Sequence, residues 1–122
     1  MLFRSDNDGA LDIFVAAYGL DVRDVAASYL GLPCAQELCC LYRGNGSGGF
    51  DNVTAEMNLT RVTQPMGVNF GDLDNDGWLD FYCATGDPDL RTLIPNRMFR
   101  KDRKSTRLNS SHIPLSRMPS SA

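Results

Sequence analysis

Apolar and polar positions alternate in short runs along most of this chain, with turn-forming residues between the runs. Leu11 to Tyr18 and Leu79 to Ala84 are rich in β-branched or aromatic residues and bounded by Gly and Asp, which predicts two short strands. Leu38 to Arg43 predicts a third strand and Phe50 to Val53 a fourth. Between these two, Gly44-Asn45-Gly46-Ser47-Gly48-Gly49 reads as a hairpin turn, because its glycines supply the positive φ values that tight turns need. Thr54-Ala55-Glu56-Met57 reads as one helical turn, and Gly67 to Phe70 as another strand. Asp21 to Leu30 places Val22, Val25, Ala26 and Tyr29 at helical spacing, and is either a short helix or an irregular loop.

The chain also repeats itself. Ser5-Asp6-Asn7-Asp8-Gly9-Ala10-Leu11-Asp12 lies over Leu73-Asp74-Asn75-Asp76-Gly77-Trp78-Leu79-Asp80 at an offset of 68 residues, and an apolar run ending in Ala follows both copies. Leu41-Tyr42-Arg43 matches Met98-Phe99-Arg100 at an offset of 57. Four short strands in a unit of about 60 residues is the arithmetic of a β-propeller blade. The expected fold is therefore all-β: a partial β-propeller of about one and a half four-stranded antiparallel blades. Residues 1–66 form the first blade, with a Cys-containing insert at about 20–40; residues 67–100 begin the second; residues 101–122 form a tail. Such a piece cannot close a ring alone, so it belongs to a longer protein or its sheet edges must find other partners.

Composition narrows the class. The 122 residues are 43% hydrophobic and 22% charged, a globular balance. No apolar run approaches the roughly 20 residues that span a bilayer, so membrane insertion is not expected, and no apolar h-region follows Met1-Leu2-Phe3-Arg4. The net charge of -3 hides a split. Residues 1–100 carry seven Arg and no Lys against fourteen Asp and Glu, whereas residues 101–122 are basic. An acidic body with clustered carboxylates points to cations and away from nucleic acid.

The cluster itself is Asp72, Asp74, Asp76 and Asp80, at positions 1, 3, 5 and 9 of a D-x-D-x-D-G-x-x-D loop with Gly77 at position 6. Four carboxylates in nine residues repel one another unless a cation lies among them. Calcium, with six to eight oxygen ligands, suits the set. The backbone carbonyl of Trp78 adds a donor, and Asp80 is the expected bidentate ligand. An EF-hand needs Glu at position 12 and a following helix, but that position holds Cys83 in a β-rich run. The first copy offers Asp6, Asp8, the Ala10 carbonyl and Asp12, a second site weakened by Arg4 at position 1.

Phe70-Gly71-Asp72-Leu73-Asp74-Asn75-Asp76-Gly77-Trp78-Leu79-Asp80 resembles the FG-GAP/VCBS repeat of integrin-α-type β-propellers. Leu41-Tyr42-Arg43-Gly44-Asn45-Gly46 through Phe50-Asp51-Asn52-Val53-Thr54 is similar to the segment that follows that loop. Within the family the chain most resembles secreted bacterial propellers of the cartilage-acidic-protein-like (CRTAC1-like) type, which carry an insert much like Tyr29-Leu30-Gly31-Leu32-Pro33-Cys34. The resemblance covers residues 3 to 100. It implies a calcium-stabilised blade, extracellular or periplasmic, without enzymatic activity. Its partners would be the remaining blades of the parent propeller and a protein or carbohydrate ligand.

Other residues carry less. Lys101 to Ala122 has six serines and no Gly, and reads as a disordered basic tail; its Lys104 to His112 run resembles non-native read-through sequence. His112, the single histidine, therefore receives no role. Cys34 paired with Cys39 or Cys40 would suit an exported protein, while Cys83 is expected in the core. Phe70, Trp78 and Tyr82 are expected in the core rather than as a ligand platform. Asn45, Asn52 and Asn58 stand in N-x-S/T sequons. No nucleophile–base set or phosphate loop is present, so catalysis has no footing in the chain. The alternative is a propeller scaffold belonging to a carbohydrate-active enzyme with its catalytic residues elsewhere. A cytosolic calcium sensor would need a helix after the loop.

Overall fold

The computed structural model describes residues 2–19, 21–86, 91, 94–101 and 109–112, with Phe3 and residues 109–112 described as backbone. Two four-stranded antiparallel sheets succeed one another along the chain, each with its strands in sequence order. The first contains β1 (Leu2–Phe3), β2 (Asp12–Val15), β3 (Cys40–Gly44) and β4 (Phe50–Asn52). The second contains β5 (Pro65–Gly71), β6 (Asp80–Thr85), β7 (Arg97–Arg100) and β8 (Asn109–His112). Among the described residues one helix, α1 (Val22–Leu30), interrupts the first sheet. This is a mostly β fold with the layout of a partial, propeller-like repeat.

Local chemistry explains the connections. The ambiguous segment after Asp21 is a helix because both its ends are capped. Asp21 accepts the Arg23 N–H at 2.8 Å, and Gly31 at φ 73° turns the chain so that Leu32 N–H reaches the Ala27 carbonyl at 2.8 Å. In the β3–β4 hairpin the Asn45 carboxamide accepts the N–H groups of Ser47 and Gly49 at 3.0 and 2.9 Å. A single turn follows β4, where Met57 N–H donates to the Val53 carbonyl at 2.9 Å.

The two sheets pack face to face on a shared core of Phe14, Leu41 and Val53 from the first and Phe81, Cys83 and Phe99 from the second. Ring centroids lie 5.0 Å apart for Phe14 and Phe81 and 4.5 Å apart for Phe81 and Phe99. Burying such rings supplies about 1.5–3 kcal/mol each. The repeat offsets show that unlike faces meet here. Phe14 and Leu41 are partners on one face of the first sheet; their counterparts in the second sheet, Tyr82 and Met98, lie on its far face. Conversely, Phe81, Cys83 and Phe99 correspond to Ile13, Val15 and Tyr42 on the far face of the first. One sheet's front thus packs on the next sheet's back. Such heterologous contact propagates from unit to unit, as blades around a ring require.

Three expectations change. Residues 109–112, read as part of a disordered tail without strand character, form β8 along the edge of β7, with Asn109 opposite Arg100 and His112 opposite Arg97. The physical reason is the open backbone edge of β7, which accepts a strand whatever its side chains. The rest of the tail beyond Lys101 lies outside the described residues. The four cysteines are free. Cys39 is buried with its Sγ 3.1 Å from Thr63 Oγ1, and the Cys40 thiol turns back to the Leu38 carbonyl, so neither pairs with Cys34. Cys83 does pack in the core, but Phe70 does not: it is 42% exposed.

Candidate metal centre

Each acidic loop joins the first two strands of its sheet, and the two loops fold alike. Asn7 and Asn75 both adopt φ 58°, and Gly9 and Gly77 follow at 90° and 86°, values that L side chains rarely adopt. Asp8 Oδ1 accepts the Ala10 N–H at 2.7 Å; Asp76 Oδ1 accepts the Trp78 N–H at 2.9 Å. These are Asx turns, built from the D-N-D-G sequence itself. The loops also touch, since the Asn7 carboxamide donates to the Gly77 carbonyl at 2.9 Å.

In the second loop Asp72, Asp74 and Asp80 each offer a carboxylate oxygen, and these oxygens lie within 4.8 Å of one another. Among the described residues no other group of three Asp, Glu, His or Cys side chains is so placed. Asp76, expected as a fourth ligand, is absent from the cluster and caps Trp78 instead. Ala10 and Trp78, whose carbonyls are expected as ligands, also donate their N–H groups to Asp8 and Asp76. Asp6, Asp8 and Asp12 do not converge as a triad. Position 1 of that loop is Arg4, so the carboxylate that answers to Asp72 is missing.

Asp80 plays a part that spacing did not suggest. It is fully buried; its Oδ2 accepts the Leu73 N–H at 3.2 Å and its Oδ1 the Lys101 N–H at 2.9 Å. Expected as a bidentate ligand, it stands in the carboxylate cluster and also staples the start of the loop to the end of β7. Each oxygen retains lone-pair capacity for a further partner. Asp72 similarly accepts the N–H groups of Asp76 and Gly77 at 3.0 and 2.9 Å.

Two arginines complete the loops, and sequence reasoning missed both. Arg100 Nε lies 2.6 Å from Asp74 Oδ2, and Arg43 Nε lies 3.1 Å from Asp6 Oδ2. The signal was present, since these arginines end the matched segments Leu41-Tyr42-Arg43 and Met98-Phe99-Arg100. Burial, and the carboxylates of Asp12 and Asp8, push Asp6 above its ordinary value, although a backbone hydrogen bond from Asp8 works the other way.

The donor set fits a hard cation. Three carboxylate oxygens on a rigid loop, with one flank open to solvent for water ligands, match the preference of calcium for oxygen. The Arg100 guanidinium stands where it competes with such an ion for Asp74. Magnesium would draw less from this set, because it retains most of its waters.

The paired loops and the front-to-back stacking of repeated sheets define a propeller-type repeat module. The comparison with known families gives the same answer: the FG-GAP-like repeat matches residues 5–83, and the chain belongs to that family. The match is to the repeat in general and does not single out the cartilage-acidic-protein-like group. No curated protein and no solved structure gave a significant match. Among the described residues, no helix is long and apolar enough to cross a membrane.

Proposed function

We propose that this chain is a calcium-stabilised repeat of an extracellular or periplasmic recognition propeller, related to the cartilage-acidic-protein-like group. The observation that carries the reading is the convergence of Asp72, Asp74 and Asp80 on one point of a family repeat loop. Calcium there would screen three carboxylates from one another and bind the entry of the loop (Asp72, Asp74) to the start of β6 (Asp80). The carboxylates serve as ligands and not as an acid–base pair, so the role is structural and non-enzymatic. The far faces of the two sheets, bearing Tyr42 and Tyr82, would meet the remaining blades of the parent propeller. A protein or carbohydrate ligand would bind the assembled ring.

Terbium, which replaces calcium at oxygen sites, tests this reading because Trp78 lies in the loop as an antenna. Tryptophan-sensitised emission should rise on titration, be displaced by calcium, and be lost in Asp74→Asn. Emission that calcium fails to displace would defeat the proposal.

A further inference from the structure

The contact between the two sheets is built from repeated positions, so it can be carried along the chain at the repeat offset of 68 residues. Phe14 on the front of the first sheet meets Phe81 on the back of the second, with ring centroids 5.0 Å apart. The Asn7 carboxamide of the first loop donates to the Gly77 carbonyl of the second at 2.9 Å. Shifted one repeat on, Phe14 and Asn7 become Tyr82 and Asn75; shifted one repeat back, Phe81 and Gly77 become Ile13 and Gly9. The outer face of each sheet thus carries one half of the contact that already joins the two.

Both the polar and the apolar parts of each half are in place. Asn75 shares the φ of 58° found at Asn7, and Gly9 at 90° matches Gly77 at 86°. On the outer face of the first sheet, Leu2, Ile13 and Tyr42 form one cross-strand row, with Val15 beside them. Leu2 and Val15 are 58% and 46% exposed, whereas Cys83, the counterpart of Val15, is fully buried between the sheets. On the outer face of the second sheet, Asn69, Tyr82 and Met98 form the matching row, and Leu41, the counterpart of Met98, is likewise fully buried. Exposed apolar strips of this kind mark interaction surfaces. β8 also keeps the register of β4, with Asn109 opposite Arg100 as Asp51 is opposite Arg43, so the unit that repeats is a whole four-stranded sheet.

We propose that a second copy of this chain occupies these faces. Tyr82 and Met98 of one copy pack on Ile13 and Val15 of the next, and Asn75 donates to the Gly9 carbonyl across the junction. The contact is heterologous, joining unlike faces head to tail, and it closes into a ring. Propellers hold four to eight blades, so two to four chains of two sheets each complete one. This arrangement rests on the propeller reading above and puts further copies where that reading places the parent's other blades.

Sedimentation of the full chain at fixed calcium, diluted from about 1 mM to 1 µM, tests it. The wild-type chain should reach a limiting mass of two to four chains. Val15→Glu charges the outer face of the first sheet and Met98→Glu that of the second, so each variant should be monomeric. Their equimolar mixture should give a 1:1 heterodimer, because each keeps the half that the other has lost. Where a glutamate variant fails to fold, Val15→Thr and Met98→Gln replace the pair, and each should associate more weakly alone than mixed. A wild-type chain that stays monomeric would overturn the proposal and make blades of another sequence the neighbours. A variant that dimerises fully alone, a mixture that stays monomeric, or masses that grow past four chains would overturn it as well. Terbium emission from the wild-type chain in calcium-free buffer reads the acidic loop separately, so a monomer that still binds the ion would defeat self-assembly and leave the calcium reading standing.

Discussion

Asp12 and Asp80, 68 residues apart, do the same work in the two sheets. Each is fully buried. Each takes the N–H of the residue seven places earlier, Ser5 at 2.6 Å and Leu73 at 3.2 Å. Each takes a second N–H at or just past the end of the third strand, from Gly44 at 3.0 Å and Lys101 at 2.9 Å. The strand start, the loop start and the neighbouring strand end thus meet at one carboxylate in each unit.

Removing either carboxylate orphans two N–H groups. Asp80→Ala and Asp12→Ala should therefore each cost about 2–5 kcal/mol, read from denaturant unfolding in chelator so that metal plays no part. Asp76→Ala, which removes only an exposed cap, should cost about 1 kcal/mol or less. Equal effects at positions 76 and 80 would contradict the staple.

Arg100 and a bound cation compete for Asp74. An exposed ion pair contributes about 0.2–1 kcal/mol, so Arg100→Gln should raise calcium affinity about 1.5- to 5-fold, measured by calorimetric titration, with little loss of metal-free stability. Weaker calcium binding in this variant would show that Arg100 supports the site instead.

The buried Cys83 thiol predicts a pH dependence. Cys83 is held protonated to about 12, whereas an exposed thiol titrates near 9.0. Between these values the unfolded chain releases a proton that the folded chain retains, so this contribution is intact below about pH 9 and is lost as pH rises. The slope from this group is about 1.4 kcal/mol per pH unit, and it should be missing from Cys83→Ala. Native alkylation followed by peptide mapping should modify Cys34 and Cys40 but spare Cys39 and Cys83 until denaturant is added.

The sequence carried much of this architecture, for identifiable reasons. D-N-D-G punctuates both loops, and its Asx turns and left-handed residues are local chemistry, so the loops and the strands after them could be read directly. Front-to-back packing was implicit in the two offsets but needed pairing registers to become visible. The role of Asp80 was hidden because spacing cannot distinguish a ligand from a buried acceptor. The Arg43–Asp6 and Arg100–Asp74 pairs join residues far apart in the chain, and only their repetition could have exposed them. β8 was illegible because Asn-Ser-Ser-His has no strand pattern; it arises from the open edge of β7. Arg97 is one of seven arginines in the first hundred residues, and nothing in its spacing marks it as the one that the packing of the first sheet on β7 buries.

Thermal unfolding of the chain with millimolar calcium and with chelator, for the wild type and for Asp72→Asn/Asp74→Asn, tests the metal reading most directly. An extracellular site of about 10⁻⁴–10⁻³ M affinity stabilises by about 1 kcal/mol under these conditions. The wild-type midpoint should accordingly rise by about 3–5 °C, and the double variant should not respond. Wild-type midpoints that coincide with and without calcium would contradict the account.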